Sequence, residues 1–401
     1  MNELKVCFVK HGLETNTKEI LSSCNKFLSE LSIACGFDVL IGTVQDVSVQ
    51  NMSCVLVGSG GSERAFREIY SSLSGPFYLL TIPAYNSLAA SLEIKGFLEL
   101  KGEEVEILHG TVESIADRLK VIKRATDAVH ALKNKRLGAI GDPLSLIASK
   151  ADKDVLKQTT GMELIPIELN ELVEEYWKKS YPENEYVKSL KGHSFNKDEL
   201  DKALCVYGAL KRLVEKYDLD GLTVRCFDLL TLIETTGCLG LSILNAEGIP
   251  AACEGDTKTL ISMMILNAIS KKSIFMANPS AMDFESGEMI LAHCTIPIDM
   301  VDDYSLMTHF ESGIGVAISA DIDRDKVTIF KCDETMERYY IETADHLETL
   351  HRKDLCRTQM RLKPNHGPEY LKDNSVCNHQ CIVRGDWSRE LEEFFNVVKH
   401  K

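Results

Sequence analysis

The alternation of apolar and polar positions divides the chain into three stretches of different character. In the first third, short β-branched or aromatic runs (LKVCFV, FDVLIGTV, SCVLVGS, PFYLLTI) alternate with segments of helical period such as TKEILSSCNKFLSELSIA and NSLAASLEIKGFLEL. Strand and helix alternating in this way predict a doubly wound sheet. A long helical period over 110–133 leads to a fresh strand at KRLGAIGDP. The alternation then resumes through GMELIPI, ELNELVEEYWKK, NKDELDKALCVYGALKRLVEKY, LDGLTVRCF and an apolar helix near 228–244. Beyond residue 272 the helical period nearly vanishes. SIFMAN, EMILAHCTI, IGVAISAD, DKVTIFKC, RYYIET and CRTQMRL read as strands, and SRELEEFFNVVK closes the chain as an amphipathic helix. The expected class is α/β: two successive doubly wound α/β domains, 1–134 and 135–272, followed by a mostly β C-terminal domain, 273–401, with its closing helix.

The second of these junctions carries IPAACEGDTKTLISMM, which sets Glu254 and Asp256 between two apolar runs. A carboxylate entering a core is costly unless a cation or hydrogen-bond donors meet it. These acids are either satisfied locally or wait for a cation or a substrate. CEGD also lies at the carboxyl end of a predicted strand, where α/β sheets place their ligands. Two other features stand out: LAHCTIP ends an apolar strand on His293, and VCNHQCIVRGD sets His379 in a similar context. A lone histidine on a strand is ordinarily a satisfied core residue, and these long spacings form no local motif. Taken together, imidazole and carboxylate ligands would suit Mn²⁺, Fe²⁺, Co²⁺ or Zn²⁺. Two glycine-rich turns, GSGGSERAF and GAIGDP, match neither a P-loop nor a dinucleotide fingerprint and read as structural turns.

Composition narrows the partners. The 401 residues suffice for two or three domains, 44% are hydrophobic, and the net charge is −15. That charge disfavours a nucleic acid or an anionic membrane as the main partner. No window holds the run of apolar residues a membrane span needs. MNELKVCFVKHGL has no secretory pattern, and many of the thirteen cysteines sit in apolar runs, so reduced thiols and a cytoplasmic location are expected. Cys377 and Cys381 flank a histidine in zinc-like fashion, but with no CxxC pair the reading for them is packing.

From GLTVRCFDLL onward, and more loosely before it, the chain resembles the L-fucose isomerase and L-arabinose isomerase superfamily, chiefly its shorter fucose-isomerase-like members. CLGLSILNAEGIPAACEGDTKTLISMM is similar to the family's strand, GEGD and helix; LAHCTIPIDM and VCNHQCIVRGD are similar to its two later histidine segments. The resemblance implies a divalent-metal-dependent aldose–ketose isomerase working through an enediol. Mn²⁺ or another divalent metal would be held by Glu254, His293 and His379, with Glu254 as base. It also implies a sugar substrate and a homo-oligomer, trimer or hexamer, in which one subunit's first domain covers another's site. One departure stands out: where the family carries a second acidic ligand, SIFMANPSAMDFES offers Ala277 or Asn278. Asn278 can ligate through its amide oxygen or touch a hydroxyl, but it cannot be a general base. Asp283, Glu285 or Asp256 could stand in for the missing acid. Asp256, Glu285, His309 and Glu311 (in THFESGIG) and Arg384 are the candidate substrate contacts. The departure leaves an alternative open: an isomerase-like protein with an altered site, binding or processing a modified sugar without isomerising it. A receptor of the periplasmic type, suggested by the paired α/β domains, does not account for the β domain and its histidines.

Overall fold

In the computed structural model of the chain, residues 3–11, 17–142 and 146–399 are described. Pro143, which ends GAIGDP, and Met1, Asn2, Gly12 and Leu13 of the amino-terminal stretch lie outside them. The contacts divide the chain into two compact units, Met1–His130 with Arg389–Lys401, and Ala131–Ser388.

The first unit is a five-stranded parallel sheet. Its strands β1 (Glu3–Val9), β2 (Asp38–Ile41), β3 (Ser53–Val57), β4 (Phe77–Thr81) and β5 (Val105–Leu108) lie in the order β2-β1-β3-β4-β5. Both faces of the central strands β3 and β4 are buried, as their near-continuous apolar runs require. Along β3 the side chains alternate: Cys54 and Leu56 join a core with Leu28 and Leu31, while Val55 and Val57 join another with Phe66 and Ile94. β5 is a strand that the hydrophobic pattern leaves unmarked, because VEIL is short and edged by charge. The closing helix, Ser388–Lys399, groups with this unit: Glu393 accepts from the Tyr78 hydroxyl and from Arg118, and Glu390 pairs with Arg124 at 3.1 Å.

The second unit opens on another parallel sheet, β6 (Arg136–Ile140), β7 (Glu163–Ile167), β8 (Gly221–Val224) and β9 (Ala251–Ala252), in the order β7-β6-β8-β9. The apolar stretch 228–244 is not one helix, as its pattern predicts, but two, Leu229–Leu232 and Cys238–Ala246. Between them Glu234 takes a left-handed φ of 52°, followed by Thr235, Thr236 and Gly237, all poor helix formers. After β9 the apolar helix Thr257–Ser270 runs as expected.

The strands that follow are β10 (Phe275–Asp283), β11 (Glu288–His293), β12 (Asp303–Met307), β13 (Ala317–Asp321), β14 (Lys326–Cys332), β15 (Tyr339–Leu350), β16 (Thr358–Pro364) and β17 (Gln380–Arg384). Six of them close a barrel in the order β10-β11-β16-β15-β14-β17, and β12 pairs with β13 as a separate ribbon. The fold is thus α/β, with two parallel sheets followed by a mostly β part. No helix among the described residues is long and apolar enough to cross a membrane.

Candidate active site

The backbone after β9 turns sharply to deliver its acids. Glu254 and Gly255 have left-handed φ values of 61° and 71°, and the Gly255 N–H donates to the Val224 carbonyl at 2.9 Å. A glycine suits such a φ; a glutamate is held there at a cost of about 1–3 kcal/mol, the kind of strain that collects at functional sites. The next residue, Asp256, caps the helix Thr257–Ser270 by accepting the Thr259 N–H at 2.7 Å. One tight turn therefore aims Glu254 outward and Asp256 inward.

The barrel supplies the imidazoles. His293 is the last residue of β11, and its Nδ1 lies 2.8 Å from the Thr295 hydroxyl. His379 immediately precedes β17, and its Nδ1 lies 2.9 Å from Asp256 Oδ2. The Nε2 atoms of His293 and His379 come within 3.8 and 3.5 Å of Glu254 Oε1. The ligand atoms of all three residues lie within 4.8 Å of one another. Burial favours the neutral acid at Glu254, but the two imidazoles outweigh it and hold the carboxyl well below the usual carboxylate range. Burial also opposes ionisation of Asp256; the Lys331 ammonium, with His379, more than offsets it. For His379 burial pulls the pKa down, and Asp256 and Glu254 push it above the ordinary value.

Two buried atoms here lack hydrogen-bond partners: His379 Nε2 and Asn278 Oδ1. An unpaired buried polar atom is unusual, and at a ligand site it marks where a cation or substrate group would sit. Asn278 lies on β10 opposite Ala292 of β11. It shares the wall of an open cavity with Glu254, His293, His309 and Glu311. His309 is buried, which lowers its pKa against the pull of Glu311, and its Nδ1 lies 3.0 Å from the Ser312 hydroxyl.

Other candidates lie elsewhere. Asp256 is fully buried with both oxygens engaged, and it does not line the cavity. Asp283 is the exposed last residue of β10, and Glu285 sits in the exposed turn that leads to β11. From Asn278 to Asp283 the strand advances about 16 Å, so that turn brings no second acid to Glu254. Arg384 is tied to the Met300 carbonyl at 2.7 Å and to Asp302 at 3.2 Å, away from the cavity. Sequence reasoning missed three features: Thr236, delivered to the cavity by the broken helix; a wall of five cysteines (226, 238, 253, 294 and 356); and Lys331 beside Asp256. Cys226 and Cys253 are in contact, Sγ to Sγ 2.8 Å. The one signal for Lys331 was a charge inside the apolar run VTIFKC.

The chain is similar to two sulfoquinovose isomerases. One, from Alkalicoccus urumqiensis, is 22% identical over 333 residues, covering 77% of this chain and 74% of that protein. The other, from Clostridium sp. (strain MSTE9), is 27% identical over 192 residues, covering 45% of this chain and 42% of that protein. No protein-family model matches the chain.

Proposed function

We propose that the chain is a divalent-metal-dependent aldose–ketose isomerase of the L-fucose/L-arabinose isomerase type. The observation that carries this reading is the convergence of Glu254, His293 and His379 beside two unpartnered buried atoms, His379 Nε2 and Asn278 Oδ1. Two imidazole nitrogens, a carboxylate and an amide oxygen fit Mn²⁺ and its neighbours. The names of the similar proteins support sugar isomerisation as the reaction class.

Glu254, His293 and His379 would hold the ion, with Asn278 turning its amide oxygen to the ion or to a sugar hydroxyl. When bound, the ion would supply Lewis acidity that polarises the sugar carbonyl. Isomerisation requires a base that removes the proton from the carbon beside the carbonyl, giving an enediol, and returns it to the former carbonyl carbon, while the hydroxyl proton passes from one oxygen to the other. Glu254 lines the cavity and would take that proton. His309 and Glu311 face the same space and would contact hydroxyls; Phe227, Leu230 and the thiols exclude water. The working form would be a homo-oligomer, which sedimentation would check.

An aldose panel that includes sulfoquinovose, assayed with and without Mn²⁺, tests the reading. Ketose formation that rises with Mn²⁺ is expected. No ketose from any sugar and no bound metal would overturn it. Asn278 at the position of the family's second acid favours one other reading, a site that binds or processes a modified sugar without isomerising it. Saturable sugar binding with no turnover would select that alternative.

A further inference from the structure

Lys331 lies on β14 and is completely buried. An ammonium in a core is costly unless it is paired and hydrogen-bonded, so an isolated lysine between Phe330 and Cys332 needs a reason. Its Nζ lies 3.6 Å from Asp256 Oδ1 and donates to the Thr259 hydroxyl. Cys377 and Cys381 are its other polar neighbours. Asp256 is buried as deeply. One of its oxygens faces two donors, the Thr259 N–H and Lys331, and the other faces His379 Nδ1. The carboxylate is thereby pinned on one side and meets the imidazole on the other. That contact leaves Nε2 of the same ring directed at Glu254 Oε1.

We propose that Lys331 is a positioning residue for the metal centre: its ammonium fixes the Asp256 carboxylate, which holds the His379 ring with Nε2 facing Glu254. The inference rests on the metal-isomerase reading above and extends it two contacts behind the ion. Groups that orient a ligand imidazole from behind typically change metal affinity about 10- to 100-fold when removed. Lys331 reaches the ring only through Asp256, so its effect should vanish once Asp256 can no longer transmit it.

Mn²⁺ affinity of the whole chain, measured by electron paramagnetic resonance of the free ion, tests this in four proteins: wild type, Lys331→Met, Asp256→Asn and the double variant. Lys331→Met should weaken Mn²⁺ about 10- to 100-fold. In the Asp256→Asn background the same change should cost less than about twofold, the non-additivity of residues acting in one chain of contacts. The visible spectrum of bound Co²⁺ should shift in Lys331→Met, as a displaced ligand requires. Should Lys331→Met fail to fold, Thr259→Val removes the hydroxyl that seats the ammonium without removing a charge. It should weaken Mn²⁺ in the same direction, while the far-ultraviolet circular dichroism of the metal-free chain shows that the fold is kept. Lys331→Met or Thr259→Val binding Mn²⁺ as wild type does, or fully additive losses, would overturn the proposal alone. A wild-type chain that binds no Mn²⁺ would overturn the metal reading with it.

Discussion

Manganese binding should depend on pH through the His379 imidazole. His379 is wedged between two acids, with Asp256 Oδ2 2.9 Å from Nδ1 and Glu254 Oε1 3.5 Å from Nε2. Burial disfavours its charged form, but the acids win, so its pKa lies above the ordinary histidine value. While the ring is charged, an ion can take Nε2 only by displacing a proton. Glu254 adds no second proton, because its carboxyl is already ionised. Affinity should therefore rise about tenfold per pH unit, or about 1.4 kcal/mol, and go on rising above about pH 6.5, where an unperturbed imidazole would have stopped contributing. Stability of the metal-free chain runs the other way. A raised pKa stabilises the fold fully below about pH 6.5, the unfolded value, and that contribution is lost as pH rises through the folded value. Calorimetric titration with Mn²⁺ in two buffers of different ionisation enthalpy would count the protons released. An affinity that is flat above about pH 6.5, with no proton released near neutrality, would refute this account of His379.

Four further outcomes are expected. Glu254→Gln should lower turnover at least about 100-fold while leaving the far-ultraviolet circular dichroism intact; turnover close to wild type would remove Glu254 from the chemistry. Asn278→Asp places an acid beside the unpaired atoms and should tighten Mn²⁺ about tenfold, or about 1.4 kcal/mol; an unchanged affinity would place Asn278 outside the site. Gly315→Ala would bring a Cβ to 2.5 Å from the Thr236 hydroxyl at a φ of 67°, so thermal unfolding should show a loss of about 2 kcal/mol. Cys294 is drawn below the ordinary thiol value by a hydrogen bond from Cys356, against burial and with help from His293. Mass spectrometry after brief treatment with a small alkylating agent at neutral pH should find it modified before Cys253, whose thiol is pushed up by Cys226 and by burial.

The parts of the fold that follow from local periodicity were readable in the chain. β3 and β4 are buried throughout and apolar but for Ser53 and Thr81, because both faces of these strands are covered, and the helix Lys197–Tyr217 has polar ends about an apolar middle that is buried without a break over 203–210. Closure of the barrel was not readable, because pairing β10 with β17 joins segments more than a hundred residues apart and local pattern carries no such information. The interruption at 233–237 was hidden by the hydrophobicity on either side, though two threonines and a glycine were there to mark it. At the site, nothing in the spacing of Glu254, His293 and His379 joins them; only the resemblance of their three segments to a known family anticipated their approach. Asp256 illustrates the opposite case: the sequence sets it two residues from Glu254, but only the turn geometry sends it into the core toward Lys331. The cysteine wall draws on five separate segments, and nothing in their spacing announces that they share a cavity.

Every strand of the barrel has a neighbour on both sides, so it offers no row of free backbone donors and acceptors. Copies of the chain could not add to it by extending a sheet. Open margins remain at β2 and β5 in the first sheet, at β7 and the two-residue β9 in the second, and along the ribbon of β12 and β13. Assembly through main-chain pairing is thereby confined to those margins. An oligomer that used the barrel would have to recognise it by side chains alone, so its fidelity would rest on residues that can change one at a time.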